Sequence, residues 1–228
     1  MAQIDPPLLP PRLYRYRKVS SLNLVERELD AIANDYLWCC HYKELNDQME
    51  GVYGVSPWLA RQPSANRLSS EILNQKRSVG ICCFSDTYEN ELMWVHYAEN
   101  YSGICVAYSA KRLNAGLGDH VHVVRVAYGG IPPRIGEADV RSPDEAARKI
   151  LSHKKSSWSY EREWRLLTEG IQVPGKLQIA VRGSVKAVYF GSRVKEEFGT
   201  TLIEELSKMN IPIRRMNVSD YTHEFVPL

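Results

Sequence analysis

No apolar run in the 228 residues approaches the roughly twenty needed to cross a bilayer, so neither a membrane span nor a membrane partner is expected. Residues 1–11 show no basic stretch followed by an apolar one, so no secretory leader is expected. Their four prolines predict instead an extended arm over residues 1–12. Cys-x-x-Cys spacing is missing as well. The five cysteines, Cys39, Cys40, Cys82, Cys83 and Cys105, predict reduced thiols and a cytoplasmic location. Cys39-Cys40-His41 and Cys82-Cys83 have the wrong spacing for a zinc knuckle, so no metal is expected. Neither sign of charge dominates, with 29 basic against 27 acidic residues, so nothing points to bulk nucleic-acid or membrane attraction. Repeats, low-complexity tracts and convincing linkers are absent too, and residues 13–228 are expected to form a single domain.

What is present is an alternation of short patterns. Leu13–Arg17 alternates as a strand, and Leu22, Val25, Leu29 and Ile32 recur at helical spacing behind Ser20 or Ser21 as a cap. Tyr36–Cys39, Val79–Ser85, Gly103–Tyr108 and His120–Tyr128 read as strands, the second and third as continuous apolar runs typical of burial. Helices are predicted over 68–77, 91–98, 144–155 and 195–209. Leu177–Val181, Val185–Phe190 and Ile211–Val218 close the chain as strands. Runs of strands separated by single helices predict an α+β fold with a mixed, mainly antiparallel core sheet.

The stretch Trp158-Ser-Tyr-Glu161-Arg-Glu163-Trp-Arg165-Leu-Leu167 carries the strongest sign of chemistry. Read as a strand, it puts Glu161, Glu163 and Arg165 on one face. Arg165 neutralising a half-buried carboxylate explains this structurally. The functional explanation is that the carboxylates orient a substrate hydroxyl or stabilise a developing cation. Asn46 and Asp47 suit an Asx turn that clamps a loop. Ser85 ends a buried strand, a place that often borders a cleft. Of the aromatic-rich helix around Trp94, only His96 and Tyr97 are candidates for a site, since most such aromatics are core.

Taken together, Leu13-Tyr-Arg-Tyr-Arg17, Asn46-Asp47, Met49-Glu50, Cys83-Phe-Ser85, Leu92-Met-Trp94, His96-Tyr97-Ala98, Gly103 and Tyr160-Glu161-x-Glu163-x-Arg165 resemble the bacterial family known as domain of unknown function 2971. That family commonly has lysine where Arg15 stands. The order is also similar to that of ADP-ribosyltransferases: an early strand with Arg15 or Arg17, a helix, and a late Glu161-x-Glu163. This second resemblance implies an ADP-ribosyltransferase-like fold and an enzyme, a bacterial toxin or defence effector that consumes NAD. Its acceptor would be a protein or a nucleic acid. Glu163, then Glu161, would be the catalytic carboxylate, stabilising the positive ribose as nicotinamide leaves. Arg15, Tyr16, Arg17, Ser85, His96 and Tyr97 would hold the NAD.

Two other readings stand beside it. One is a non-enzymatic module that binds nucleic acid or protein through Tyr14, Tyr16, Trp94 and the arginines. The other is a metal-independent nuclease using His96 with Glu163.

Overall fold

A computed structural model describes residues 8–180 and 182–228, so most of the expected N-terminal arm, and Val181 of the expected Leu177–Val181 strand, lie outside the described residues. The architecture is α+β, with helices set among mainly antiparallel strands. The chain divides into two compact units. One comprises residues 1–37, 84–117 and 178–228, and the other residues 38–83 and 118–177.

In the first unit the strands lie in the order Thr222–Pro227, Ile213–Ser219, Val185–Phe190, Ile104–Ser109 and Arg12–Arg17. All neighbours are antiparallel except Val185–Phe190 and Ile213–Ser219, which run parallel. Ser85 then pairs with Tyr14. The Ile104–Ser109 strand is buried on both faces up to Tyr108, which is why its sequence is apolar without alternation. The helix Leu22–Ala33 starts where Ser21 accepts a hydrogen bond from the Leu24 N–H, and it packs with the helix Glu196–Lys208. The final strand, Thr222–Pro227, is half-exposed, and the sequence reading did not anticipate it.

A glycine shortly after a helix favours a left-handed cap, but the helix Glu91–Tyr97 does not use Gly103 in that way. Glu99, Asn100 and Tyr101 take the positive φ values instead, at 50°, 55° and 69°. Gly103 serves a different need. A Cβ on it would sit 2.2 Å from the Arg17 carbonyl oxygen and 2.9 Å from the Ala98 backbone. The glycine therefore allows a close approach of backbones.

In the second unit the strand Glu163–Thr168 lies between Val121–Arg125, its antiparallel partner, and the Gly80–Cys83 part of the strand Gly80–Ser85. The helices Ala65–Ser78 and Pro143–Leu151 pack together, burying Leu68 and Ile72 against Ala146 and Ile150. Three expectations fail here. The strand predicted over His120–Tyr128 breaks after Arg125. The Val126 N–H still reaches the Glu163 carbonyl, but the Ala127 N–H turns to Ser152. Ala127–Gly129 then pairs in parallel with His153–Lys155, three residues that the helical pattern had assigned to the preceding helix. That helix ends at Leu151 because Lys154 is drawn inward to buried carboxylates. Finally, Ser156–Glu161 is a 3₁₀ turn, and Arg162 adopts a left-handed φ of 49° before the strand begins at Glu163.

Gly103→Ala is expected to destabilise the protein by about 3 kcal/mol, the upper end for an overpacked site, because its Cβ meets backbone rather than a flexible side chain. Urea melts of the two proteins measure this. An unchanged midpoint would mean that the turn can open without cost.

Candidate functional site

The second unit buries five charged side chains together. Arg165 is wholly buried on its strand, and Glu163, two residues earlier, shares its face. Arg165 Nε donates to Glu163 Oε1 at 2.8 Å and Nη2 to Oε2 at 3.0 Å. The rest of the guanidinium reaches Glu50, with Nη1 to Oε1 at 2.6 Å and Nη2 to Oε2 at 2.9 Å. Nη1 also donates to the Leu151 carbonyl, the last of its helix, at 2.6 Å. On the other side Lys154 Nζ donates to Glu161 Oε2 at 2.5 Å and to Glu163 Oε2 at 3.3 Å, and lies 4.9 Å from the Trp158 ring centre. The Tyr128 hydroxyl accepts from the Glu163 backbone N–H at 2.8 Å.

Local sequence chemistry delivers each member. Asp47 makes the expected Asx turn, its Oδ1 accepting from the Met49 N–H at 2.9 Å while its carbonyl accepts from the Glu50 N–H. Gly51 follows with a φ of 75°, where a Cβ would press on the Tyr42 ring at 3.0 Å. Lys76, buried between Tyr42 and Tyr53, donates to the Gly51 carbonyl at 2.6 Å. The turn so fixed points Glu50 at Arg165. Glu161 reaches Lys154 because left-handed Arg162 redirects the chain between the two glutamates, so strand alternation is not the cause.

Burial opposes the charge on Glu163, but Arg165 and then Lys154 outweigh it and hold its carboxyl down to about 2. Burial likewise opposes the charge on Lys154 and Arg165, yet the facing carboxylates raise both. The Cys83 thiol is pushed up by burial and by Glu163 beside it, so it stays protonated and donates to that carboxylate. Glu163 is thus held as an anion at neutral pH, with partners on both oxygens.

The other candidates belong to the first unit. Arg17 Nη2 donates to Glu28 Oε1 at 2.6 Å, Arg27 joins at 2.9 Å, and the Arg15 charge also favours ionised Glu28, so these cations meet one carboxylate on the following helix. The Tyr16 hydroxyl donates to the Thr87 carbonyl at 3.0 Å, with its ring edge on Trp94. Ser85 Oγ accepts from the Thr87 N–H at 3.3 Å. Tyr16 and Ser85 thus converge on one turn. His96 is exposed and Tyr97 half-buried on the helix Glu91–Tyr97. Glu50 and Lys154 were not singled out from sequence. Glu50 stood in a motif read as a loop, and Lys154 in a segment read as helix.

A cleft of about 200 Å³ also opens in the second unit, at the ribbon formed by Ala127–Gly129 and His153–Lys155. Alternation along the ribbon sends Tyr128 and Lys154 inward to the ion network and leaves His153 and Lys155 on the opposite face.

A family model described as a protein of unknown function (DUF2971) matches residues 93–166, less than half of the chain. Over that stretch, which covers the helix bearing His96 and the strand bearing Glu163 as far as Leu166, the chain is similar to that family. No curated protein and no solved structure matches it.

Glu163→Gln removes one partner of a buried pair and is expected to cost about 3–5 kcal/mol. Because its folded pKa lies below the ordinary value of 4.5, Glu163 contributes its stability above that pH and loses it as pH falls through about 2. Melting midpoints of wild type and Glu163→Gln should therefore converge in acid. A gap that stays constant down to pH 2 would exclude an ionised Glu163 as its source.

Proposed function

We propose that this protein is a NAD-consuming transferase of the ADP-ribosyl type, with the ion network of the second unit as its electrostatic centre. The observation that supports the reading most is Glu163, a buried carboxylate held ionised at the start of a late strand. Strongly shifted, charge-paired groups of this kind concentrate at functional sites. An anion there favours the positive ribose that forms as the nicotinamide bond breaks. The loosest of its contacts is the 3.3 Å one from Lys154, which Glu161 holds more closely. Transfer of Lys154 wholly to Glu161 would vacate one position on Glu163 Oε2 for a ribose hydroxyl, while Arg165 Nη2 keeps its bond to that oxygen at 3.0 Å. Glu161 then acts as a positioning residue, by taking the ammonium away.

The binding-module reading draws no support from the aromatics first considered for it, since Tyr14, Tyr16 and Trp94 are all buried. A toxin or defence effector is the setting that the resemblance to ADP-ribosyltransferases implies for the transferase.

Millimolar NAD is expected to raise the melting temperature, because a ligand that binds only the folded state stabilises it by mass action. With mixed bacterial protein and nucleic acid supplied as acceptors, nicotinamide should be released. Glu163→Gln should lower release per folded molecule by about a hundredfold or more, while NAD affinity falls much less. Unchanged release per folded molecule would reduce Glu163 to an ion-pair partner. No thermal shift and no nicotinamide would remove the transferase reading itself.

A further inference from the structure

The cleft at the outer face of the ribbon shares only Lys154 with the ion network, and its lining is chemically selective. His153, Lys154 and Lys155 supply its polar side, and Met49, Val52 and Ile131 its apolar side, and no acidic residue borders it. Lys155 is exposed and forms no ion pair among the described residues, whereas Lys154 is already committed to Glu161 and Glu163. An ammonium beside an imidazole, with no carboxylate near either in the lining, favours an anion. Met49 and Ile131 are 63% and 72% exposed at the lips. Two large apolar side chains bordering one opening suit a flat ring between them, a methionine sulfur being a favourable neighbour for an aromatic face.

Two glycines give the cleft its form. A Cβ on Gly129 would lie 2.9 Å from His153 Nε2, so the absence of a side chain there lets the imidazole pack along the backbone. Gly130 has nothing within 4 Å of where its Cβ would be, and its side of the cleft is open. Size narrows the ligand further. The volume of about 200 Å³ is below the roughly 300–1,000 Å³ of pockets that enclose drug-sized ligands. A ring with one phosphate suits it, and a whole dinucleotide does not.

We infer that this cleft binds the phosphate and base of a mononucleotide, the phosphate between Lys155 and His153 and the base between Met49 and Ile131. The inference goes beyond the transferase reading and uses none of Glu161, Glu163 or the first unit. A nucleoside without its phosphate leaves the Lys155 ammonium unmatched, and inorganic phosphate leaves the lips bare, so both bind more weakly than the whole.

The test uses the full chain and adenosine 5′-monophosphate, with adenosine and inorganic phosphate as partial probes, read by thermal shift and by titration calorimetry. The monophosphate is expected to raise the melting temperature, with each partial probe giving a smaller shift. Lys155→Ala should weaken its binding about tenfold or more, the scale of a lost charge-assisted hydrogen bond, without moving the unliganded melting temperature. Gly130→Val places its Cβ where nothing lies within 4 Å and adds bulk on the cleft's open side, so it should abolish the shift while the protein melts normally. No shift with adenosine, guanosine, cytidine or uridine monophosphate would overturn the inference, and so would binding retained in full by both variants. The two proposals fail separately. Nicotinamide release that persists in Gly130→Val keeps the transferase and leaves the cleft a distinct site, provided the monophosphate binds there. Monophosphate binding lost in Gly130→Val, with NAD never consumed, keeps the cleft and sinks the transferase.

Discussion

A guanidinium with no exposed surface is the fixed point of the second unit. Arg165 joins three segments far apart in sequence: the turn carrying Glu50, the last carbonyl of the helix Pro143–Leu151, and its own strand through Glu163. Taking such a group out of water costs several kcal/mol, and only near-complete hydrogen bonding offsets that. Here Nε, Nη1 and Nη2 all find acceptors, and the two carboxylates meet the fork in paired geometry. Helix packing in this unit has an ordinary apolar core of its own around Leu68, Ile72 and Ile150. The Glu50 turn, the helix end and the strand each supply an acceptor to this one guanidinium, so the network ties these three segments together.

That constraint reaches the cleft through Lys154. Its ammonium is needed inside, by Glu161 and Glu163, so the chain after Leu151 must abandon the helix and run as a strand beside Ala127–Gly129. Strand alternation then leaves His153 and Lys155 on the outer face with no acid of their own. The placing of His153 and Lys155 at the cleft is thus a by-product of satisfying the buried carboxylates. A single three-residue strand serves a closed electrostatic site on one side and an open one on the other. The apolar lips come from the same source, since Met49 and Val52 flank the turn that delivers Glu50.

How far the sequence was legible depended on whether local pattern and tertiary demand agreed. They agreed for the strand at Arg12–Arg17, the Ser21-capped helix, the apolar Ile104–Ser109 strand and the α+β class. They disagreed wherever a charge was buried. Lys154 and Lys155 look like the polar end of a helix, and nothing local shows that Lys154 faces Glu161 and Glu163, seven and nine residues on, across a turn. Glu50 could be recognised as part of a motif, but its partner is 115 residues away. The pairing of Glu163 with Arg165 was readable, because two residues apart on a strand means one face. In the first unit, Arg17 pairs with Glu28 on the next helix, a partner that the sequence reading did not name. Helical spacing gives no warning of that, since Glu28 sits on a face otherwise occupied by Val25, Leu29 and Ile32.

The Glu161-x-Glu163 spacing shows how a correct feature can have a different cause. Alternation on a strand would set both carboxylates side by side, equally placed to hold one substrate. Arg162 in a left-handed conformation instead ends a 3₁₀ turn between them, at a cost of about 1–2 kcal/mol for a residue with a Cβ. The two carboxylates approach Lys154 from different elements, Glu161 at the end of the turn and Glu163 at the start of the strand. They are consequently unequal. Glu163 is bound in place by Arg165, while Glu161 belongs to a turn whose geometry depends on one strained residue. If a charge in this network moves during function, the ammonium between the carboxylates is the group with two destinations, and the turn that ends at Arg162 is the element whose adjustment would choose between them.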